Sequence, residues 1–302
     1  MQKFIEAVGK IDVPVDASRL FHGRGGQFPG CEHLCLDWFA PVFLLTSFVT
    51  MEEEAIAACA QAISTRWQDI GAGQPLNLVY QFRSGGQTIS QLLFGEVPEP
   101  HVVTENGAKF QVHLLRGQNH GLFLDMANGR QWVRAHAKHK KVLNLFAYTC
   151  GFSVAALQGG ADEVVNMDMS KGALAIGKQN HLLHDFPNGA RYLGHDIFKS
   201  WGKLKKLGPY EIIVADPPSN QKGSFVATKD YERLVRRMPE LLAQGGEVLL
   251  CLNAPELGTD FLMEQVAKNA PQLVFVERLD NPASFEDVNS EKSLKVLRYT
   301  MS

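Results

Sequence analysis

Two aspartates and a tight turn supply polar groups in this sequence that could hold a nucleoside. Gly151 lies in the turn of the segment VLNLFAYTCGF, and Asp168 follows it by 17 residues at the end of the apolar run EVVNMD. An acidic side chain at this distance suits the two hydroxyls of a ribose, as in dinucleotide-binding folds. Asp216 ends a third apolar run, EIIVADPP. The sequence therefore indicates a site for an adenosine-type cofactor.

The elements that must position these residues form a predicted βαβ unit. Residues 142–146 are a short apolar run without helical periodicity, and apolar residues 152–157 begin a helix after the turn. Residues 164–167 give the next strand, and Ser170 is placed to cap the helix that follows. The carboxyl ends of parallel strands share one edge of a sheet. We therefore expect Tyr148 to converge there with the glycine and the two aspartates named above.

The turn lacks the glycine pattern of a dinucleotide site. Gly151 stands alone where G-x-G-x-x-G would be needed, so the sequence offers no backbone cradle for a pyrophosphate. NAD is therefore the less favoured ligand. A nucleoside without phosphates fits better, and S-adenosylmethionine is the common cofactor of that kind.

These motifs resemble those of the RlmI/RlmK-type class I S-adenosylmethionine-dependent methyltransferases, which act on large-subunit ribosomal RNA. The matching stretches run in family order between residues 105 and 219: ENGAKFQV, GLFLD with Arg130, VLNLFAYTCGFSVAAL, VVNMDMSKGAL, GHDIF and VADPPS. Upstream, GRGGQFPG followed by LDWF resembles the G-x-G-D-x-x-P-G segment of the small subdomain that precedes the catalytic domain.

The resemblance implies an α/β fold. We expect a Rossmann-like class I methyltransferase domain with a seven-stranded, mostly parallel sheet whose last strand is antiparallel, and a small N-terminal α+β domain. The small domain is placed at residues 1–100, without the family's usual RNA-binding PUA module, and the S-adenosylmethionine-dependent methyltransferase domain at residues 101–302.

Local patterns predict further elements within these domains. Strands are expected at residues 41–49, 76–82, 191–194, 247–252, 273–279 and 295–300, and helices at residues 52–67 and 230–242. The loop 280–292 is either a substrate lid or a plain surface loop.

The resemblance also implies which residues contact the cofactor. Asp168 would hold the ribose and Asp196 the adenine amino group, with capping of the next helix as the alternative role of Asp196. Asp125 and Arg130 would hold the methionine end, where an arginine can pair with a carboxylate. Further contacts are expected from other residues of the matched motifs: Phe123, Asn144, Phe146, Tyr148, Thr149, Gly151, Met169, Ile197 and Asp216.

Asp216, Pro217 and Pro218 are predicted to carry the chemistry. The two prolines fix φ and remove donors, so the carbonyls after the strand are held rigid beside the reactive methyl. In methyltransferases with an Asp/Asn-Pro-Pro-aromatic motif, the acidic or amide side chain and a backbone carbonyl accept from a substrate N–H. Here Ser219 follows the prolines where an aromatic is expected, and Phe225 is the nearest ring.

Asn253, at the end of the strand predicted at residues 247–252, completes the predicted catalytic group. Carbon-5 methylation of a pyrimidine needs a thiolate that first adds to the ring. The family's cytosine enzymes carry that cysteine where this chain has Asn253, and the guanine-N7 members have asparagine there. A nitrogen target is therefore favoured over carbon. Cys251, on the same strand face, is a displaced nucleophile or a buried structural cysteine.

Composition limits the classes of protein to which this chain can belong. The 302 residues are 45% hydrophobic and 21% charged, as in globular chains. A net charge of −2 and a pI near 6.6 mean that RNA binding would need a local basic patch. Five cysteines without a pattern, and no signal peptide in residues 1–15, predict a cytoplasmic protein. The longest apolar run, residues 40–49, is far short of the ~20 residues that span a membrane.

Three short segments invite a binding role. Cys31, His33 and Cys35 have no second ligand pair at a zinc-finger spacing, so we predict no metal site. The basic run RAHAKHKK at residues 134–141 is a solvated helix face or a phosphate-contacting patch. The glycine-rich loop at residues 23–26 resembles a phosphate cradle but lacks the last glycine and a following helix, so we predict a tight turn.

The predicted function is S-adenosylmethionine-dependent methylation of a nucleobase in ribosomal RNA, which makes the protein an enzyme with an RNA partner and no membrane partner. Two alternatives stay open. One is methylation of a small molecule or a protein. The other is a catalytically silent S-adenosylmethionine-binding module. The sequence also leaves a homodimer open.

Overall fold

The computed structural model describes residues 1–12, 14–186, 189–221 and 223–302. Two compact units make up this chain: Met1–Leu124 with Pro282–Asn289, and Asp125–Asn281 with Ser290–Ser302. The division between the units falls later than the domain boundary placed at residue 100, and those domain limits stay a prediction.

The first unit is an α+β structure built on one sheet and one hairpin. Its elements are α1 (Gln2–Val8), β1 (Ser18–His22), β2 (Leu34–Phe39), β3 (Val42–Ser47), α2 (Glu53–Ile70), β4 (Asn77–Ser84), β5 (Gln87–Phe94), β6 (His101–Glu105) and β7 (Ala108–Val112). The sheet has the order β1-β2-β3-β4-β5; β3 and β4 run parallel, and the other neighbours run antiparallel. The strands predicted at residues 41–49 and 76–82 correspond to β3 and β4.

Apolar side chains cover one face of this sheet. Trp38 of β2 and Phe43 of β3 belong to the core that packs against α1 and α2. Helix α2 buries four residues at helical spacing: Cys59, Ala60, Ile63 and Trp67. The helix predicted at residues 52–67 therefore forms, and it extends to Ile70.

The opposite face of the same sheet carries buried polar residues among its apolar ones. Asp37 of β2, Thr46 of β3 and Gln81 of β4 are each at most 6% exposed. Buried polar groups require hydrogen-bond partners. Arg19 of β1 donates to both carboxylate oxygens of Asp37, from Nε at 2.7 Å and from Nη2 at 3.1 Å.

The second unit alternates strands and helices. Its elements are α3 (Ala127–His136), β8 (Lys141–Leu145), α4 (Gly151–Gln158), β9 (Glu163–Asp168), α5 (Lys171–Leu182), β10 (Ala190–Gly194), α6 (Trp201–Leu207), β11 (Tyr210–Ala215), β12 (Asn220–Gln221), β13 (Phe225–Val226), α7 (Ala227–Val235), α8 (Met238–Leu241), β14 (Leu242–Leu252), α9 (Thr259–Asn269), β15 (Leu273–Leu279) and β16 (Lys295–Met301).

These strands form a seven-stranded sheet in the order β10-β9-β8-β11-β14-β16-β15. The first five strands are parallel, and β16 runs antiparallel to both of its neighbours, β14 and β15. The central strands are buried runs of Val, Ile and Leu, as expected of a sheet covered on both faces. The predicted α/β class with one antiparallel strand is confirmed.

Two predicted segments differ from the structure. The helix predicted at residues 230–242 is split into α7 and α8, because Pro239 has no N–H to continue a helical ladder and instead lies in the first turn of a new helix. Strand β14 begins at Leu242, where it already pairs with Tyr210 of β11, and so starts before the predicted residue 247.

The loop predicted at residues 280–292 is divided between the two units, because its middle part, Pro282–Asn289, belongs to the first unit.

The segment Pro282–Asn289 makes specific contacts within the first unit. Phe285 is 8% exposed and lies under the guanidinium of Arg19, whose Cζ is 4.4 Å from the ring centroid. The N–H of Val288 donates to the carbonyl of Gly25 over 2.9 Å. This part of the loop therefore packs on the first unit, and the choice between a substrate lid and a surface loop stays open. In the described part of the chain, every helix is too short or too polar to cross a bilayer.

His120 in the first unit is held in a form that resists protonation. Its Nδ1 lies 3.2 Å from the carbonyl of His113, and its buried Nε2 has no hydrogen-bond partner among the described residues. Burial is the main cause that lowers the pKa of His120 to about 4. The folded chain therefore keeps this ring neutral at a pH where the unfolded chain would bind a proton.

We expect His120 to make the folded state acid-sensitive. Its contribution to stability is complete above the ordinary pKa of 6.5 and is lost as the pH falls from 6.5 toward 4. His120→Gln should therefore remove about 1 to 2 kcal/mol of the difference in unfolding free energy between pH 7 and pH 5. Urea unfolding at both pH values measures it. His139→Gln, which changes a side chain that is 75% exposed, should keep the pH dependence of the unaltered chain; an equal change in both variants would contradict the assignment.

Candidate active site

The register of the parallel strands brings several predicted site residues to one edge of the sheet. Leu145 of β8 pairs with Met167 of β9 and with Ala215 of β11. Asp168 and Asp216 directly follow two of these paired residues. They are therefore level with each other, on either side of the turn that leaves β8.

Asp168 holds that turn in place. One carboxylate oxygen accepts from the N–H of Tyr148 at 2.8 Å, and the other accepts from the N–H of Ser170 at 2.7 Å. The hydroxyl of Ser170 in turn accepts from the N–H of Ala173 at 3.2 Å, so Ser170 caps α5 as predicted. Each oxygen of Asp168 keeps a lone pair, which can accept from a ribose hydroxyl.

The turn itself has an unusual backbone. Phe146, Tyr148 and Cys150 have φ values of 56°, 47° and 62°. Residues other than glycine rarely adopt this left-handed region, and they stay there only when surrounding contacts hold them. Asn180 of α5, which is fully buried, donates from its side-chain amide to the carbonyl of Thr149 at 2.9 Å.

Helix α5 approaches the turn so closely that only glycine fits. A Cβ on Gly177 would lie 2.4 Å from the sulfur of Cys150 and 3.3 Å from the backbone carbon of Thr149. The turn is therefore fixed from the helix side by Gly177 and Asn180, and from the sheet side by Asp168. Gly151, predicted as a cofactor contact, is the first residue of α4.

A buried chain of polar side chains joins β8 and β9 beneath the turn. Asn144 donates to Asn166 at 2.9 Å, Asn166 donates to Ser153 at 3.0 Å, and the hydroxyl of Ser153 is 2.9 Å from Nε2 of His181. Nδ1 of His181 lies 2.6 Å from the carbonyl of Gly177. Burial lowers the pKa of His181 and so favours the neutral imidazole. A neutral ring has one nitrogen that donates and one that accepts, as the contacts with Gly177 and Ser153 require. Asn144 is 1% exposed, and its role as a cofactor contact stays a prediction.

The residues predicted to hold adenine lie beside Asp168. Gly194 pairs with Asp168, and Asp196 follows two residues later at the same edge. Asp196 accepts from the N–H of Phe198 at 2.9 Å, so it caps the short 3-10 helix Ile197–Lys199, which was its alternative role. Its side chain is still 29% exposed. Met169 is 49% exposed and Ile197 is buried, so Met169 offers an apolar surface at this edge.

Asp216 lies in a cluster of charged groups of the second unit. Burial, then the charge of Asp125, raise the pKa of Asp216 to about 7, and the charge of Arg130 opposes this shift. Arg130 is only 4% exposed. The charges of Asp125 and Arg130 therefore act on Asp216, and the roles of these residues in a cofactor site stay a prediction. Asp216 is partly buried and keeps some accessible surface.

The segment after the two prolines is tied to the end of β14. The hydroxyl of Ser219 donates to the backbone carbonyl of Asn253, whose side chain is exposed at the strand end. Pro217 is buried and Pro218 is partly buried. Lys295, which sequence analysis missed, is fully buried and donates to the carbonyls of Ala254 at 3.1 Å and Glu291 at 2.7 Å. A lysine within an antiparallel strand gives no signal of this role in the sequence.

Two aromatic rings named in the sequence analysis, Phe225 and Phe123, differ in exposure. Phe225 is 1% exposed and packs edge-on against Phe146, with ring centroids 5.3 Å apart. It belongs to the core and offers no face to a substrate. Phe123 is 42% exposed and belongs to the first unit, so its cofactor contact stays a prediction. Among the described residues, no group of three or more His, Cys, Asp or Glu side chains could hold a metal.

Comparison with known proteins identifies the family. A family model described as S-adenosylmethionine-dependent methyltransferase matches residues 18–300. The chain belongs to this family. The predicted cofactor class and the predicted RlmI-type resemblance are thereby confirmed.

Curated relatives and a solved structure agree with this assignment. Two relatives are named Ribosomal RNA large subunit methyltransferase I. The protein from Aeromonas salmonicida is 31% identical over 261 residues and the one from Aeromonas hydrophila 33% over 259. The match covers 83% of this methyltransferase and 64% of each relative. The crystal structure of SMU.776 complexed with SAH is 26% identical, has a TM-score of 0.83, and covers 99% of this chain and 81% of that chain.

The residues of the methyltransferase site fit S-adenosylmethionine. Asp168 is an acceptor suited to ribose hydroxyls, and its oxygens are already oriented by two backbone N–H groups. Met169 offers apolar surface for a purine ring. Asp125 and Arg130 provide the two charges that a methionine ammonium and carboxylate require. The set therefore matches a nucleoside with an amino-acid tail.

We expect Gly177→Ala to weaken cofactor binding. The added methyl would displace Cys150 and Thr149, which belong to the turn that Asp168 holds. The affinity for S-adenosylmethionine should fall about 10-fold or more, because an overpacked site forces backbone shifts and the displaced turn carries predicted cofactor contacts. Calorimetric titration measures this loss.

The matched control is Gly172→Ala in the same helix, where the nearest atom to a new Cβ is 4.0 Å away. This variant should bind the cofactor like the unaltered methyltransferase. Equal affinities of the two variants would show that the contact between α5 and the turn does not shape the cofactor site.

Proposed function

We propose that this methyltransferase transfers the methyl group of S-adenosylmethionine to a nucleobase nitrogen in large-subunit ribosomal RNA. The observation that carries the substrate class is the match along 83% of the chain to relatives named for that RNA. The chain spans 64% of the length of these relatives, so its own activity, substrate and RNA partner are part of this proposal. An RNA substrate of this kind also supports the predicted cytoplasmic location. The homodimer stays a prediction.

The choice of nitrogen rests on the state of the thiols. All five cysteines are buried and free. Burial is the main cause that raises the pKa of Cys35, Cys59, Cys150 and Cys251. The thiolate is the nucleophilic form of cysteine. Addition to a pyrimidine ring, which carbon-5 methylation requires, is therefore unfavourable for each of these four side chains.

Asp216 is proposed to position the base. When bound, S-adenosylmethionine supplies an electrophilic methyl group on a sulfonium. A nitrogen lone pair can be methylated directly, so the enzyme must orient the base and stabilise its charge. An ionised Asp216 accepts a hydrogen bond from a base N–H. Because the pKa of Asp216 is raised to about 7, its carboxylate can also take up a proton near neutral pH.

A single experiment separates this function from its alternatives. The protein is incubated with methyl-labelled S-adenosylmethionine and, in parallel, with total RNA, protein or metabolite extract from cells that lack its gene. Label in large-subunit ribosomal RNA supports the proposal. Label in a protein or a small molecule would replace it, and cofactor binding without any transfer would indicate a silent binding module.

We expect Asp216→Ala to lose methyl transfer and leave the affinity for the cofactor nearly intact. The methyl side chain of alanine can neither accept a hydrogen bond from a base N–H nor take up a proton, so kcat/KM should fall about 100-fold or more. In the unaltered enzyme kcat/KM should rise between pH 6 and pH 8, as Asp216 loses its proton near pH 7, and in the variant this rise should disappear. Asp162→Asn, at an exposed carboxylate of the same unit, is the control. A variant that keeps the full pH dependence would exclude Asp216 as its source.

We expect Cys251→Ser to keep methyl transfer within about 3-fold, because Cys251 is fully buried in the apolar core of the second unit rather than exposed to substrate. Unaltered enzyme should also form no covalent adduct with RNA that contains 5-fluorocytosine. Denaturing gel electrophoresis of the mixture detects such an adduct. An adduct that is lost in Cys251→Ser would move the enzyme to the carbon-5 class.

A further inference from the structure

The glycine-rich loop at residues 23–26 of the first unit holds the backbone of the exposed Arg24 in a fixed position. Gly23–Gly25 is a 3-10 turn that ends in Gly26, whose φ is 79°. A Cβ on Gly23 would lie 1.9 Å from the carbonyl oxygen of Cys31, and a Cβ on Gly25 would lie 2.2 Å from that of Glu286. The backbone on both sides of Arg24 is therefore clamped between other backbone segments. The tight turn predicted at residues 23–26 is present, and its one long side chain is exposed.

Arg24 and Arg83 both pack against the ring of Phe48, at the end of β3 in the sheet of the first unit. Phe48 directly follows β3, and its ring lies 4.4 Å from Cζ of Arg24 and 5.5 Å from Cζ of Arg83. Arg83 is level with the end of β3, because Ser47 pairs with Phe82. Such cation–π contacts hold a guanidinium plane in position while its N–H groups remain able to donate.

Neither Arg24 nor Arg83 forms an ion pair with a carboxylate in the described part of the chain. The nearby Asp37 is occupied, since Arg19 binds both of its oxygens. Asp287 lies 3.8 Å from His22. The Nε of Arg83 is buried and has no hydrogen-bond partner among the described residues. A buried donor of this kind is costly unless a partner is supplied from outside.

The electrostatic state of the cluster favours an anion. Burial, and then the charges of Arg24 and Arg19, lower the pKa of Arg83, so the arginines repel one another. Burial and Arg19 also lower the pKa of His22 to about 4, so this ring is neutral at pH 7 and adds no charge. The cluster thus holds three guanidinium groups, of which Arg19 is the one that pairs with Asp37. This is a local basic site in a chain whose net charge is −2.

We propose that Arg24 and Arg83, held by Phe48, bind phosphodiester groups of the RNA substrate. The planar donor forks of arginine match the oxygens of a phosphate. The faces of Phe48 are used to hold guanidinium groups, so the site recognises the backbone rather than a base. Contacts of this kind position RNA without selecting its sequence. The proposal rests on the proposed function, because it takes RNA as the substrate.

The test measures binding of a fluorescein-labelled, single-stranded oligouridine RNA to the full chain. The KCl concentration is varied between about 50 and 300 mM, because RNA affinity that depends on phosphate contacts falls steeply in this range. Arg24→Gln and Arg83→Gln should each weaken binding about 5-fold at 100 mM KCl and reduce the salt slope by about 0.7. The double variant should combine both losses. Arg116→Gln, at a 78% exposed arginine of the same unit that pairs with Glu99, is the matched control.

Three further measurements make each outcome informative. Thermal unfolding, together with the milder Arg83→Lys, checks that Arg83→Gln is folded; the lysine variant should keep the salt slope and lose part of the affinity. Competition with inorganic phosphate separates a strand from the free anion, and equal affinity for both would overturn the RNA assignment. Methyl transfer to ribosomal RNA is measured on the same variants.

The two proposals fail in different ways. If the unaltered chain methylates RNA and both glutamine variants keep its affinity and salt slope, the arginine site is wrong and the proposed function stands. If the unaltered chain binds RNA through these arginines but transfers no methyl to it, the proposed function is wrong and the phosphate site stands. If the unaltered chain binds no RNA, both are wrong.

Discussion

The carboxylate of Asp168 is the contact on which the candidate active site depends. It accepts the N–H of Tyr148 on one side and that of Ser170 on the other, and so joins the turn after β8 to the start of α5. A turn with three non-glycine residues at positive φ is strained, and it persists because its surroundings hold it. The strain is therefore concentrated where a ligand is expected, and two hydrogen bonds to one side chain maintain it.

The same arrangement gives Asp168 two tasks that support each other. The carboxylate that orients the turn is also the group expected to accept from a ribose, and each backbone bond fixes one of its oxygens. Below it, the hydrogen-bonded chain from Asn144 to His181 allows β8 and β9 to carry amides within an otherwise apolar sheet. Because each of these side chains has a hydrogen-bond partner, the buried polar groups do not destabilise the core. Instead they fix the position of β8 relative to β9.

Much of the second unit could be predicted from sequence because its signals are local. The apolar runs, the cap at Ser170 and the aspartates at strand ends lie within a few residues of the features they specify. The left-handed backbone of Phe146, Tyr148 and Cys150 could not be predicted, since no residue type there marks it. The buried Lys295 and the meeting of Arg24, Phe48 and Arg83 depend on segments far apart in the chain. Only the tertiary structure brings those groups together.

The order of the strands in the larger sheet has a consequence for biosynthesis. β16 lies between β14 and β15, although it follows both in the chain. β15 can therefore join the sheet only after β16 has been synthesised, and until then the edge of β14 has no neighbour on that side. The unpaired edge would be open to other chains while the ribosome is still translating. The segment between β15 and β16 also carries Phe285, which is buried in the first unit. Completion of the larger sheet and burial of this ring therefore both wait for the last part of translation.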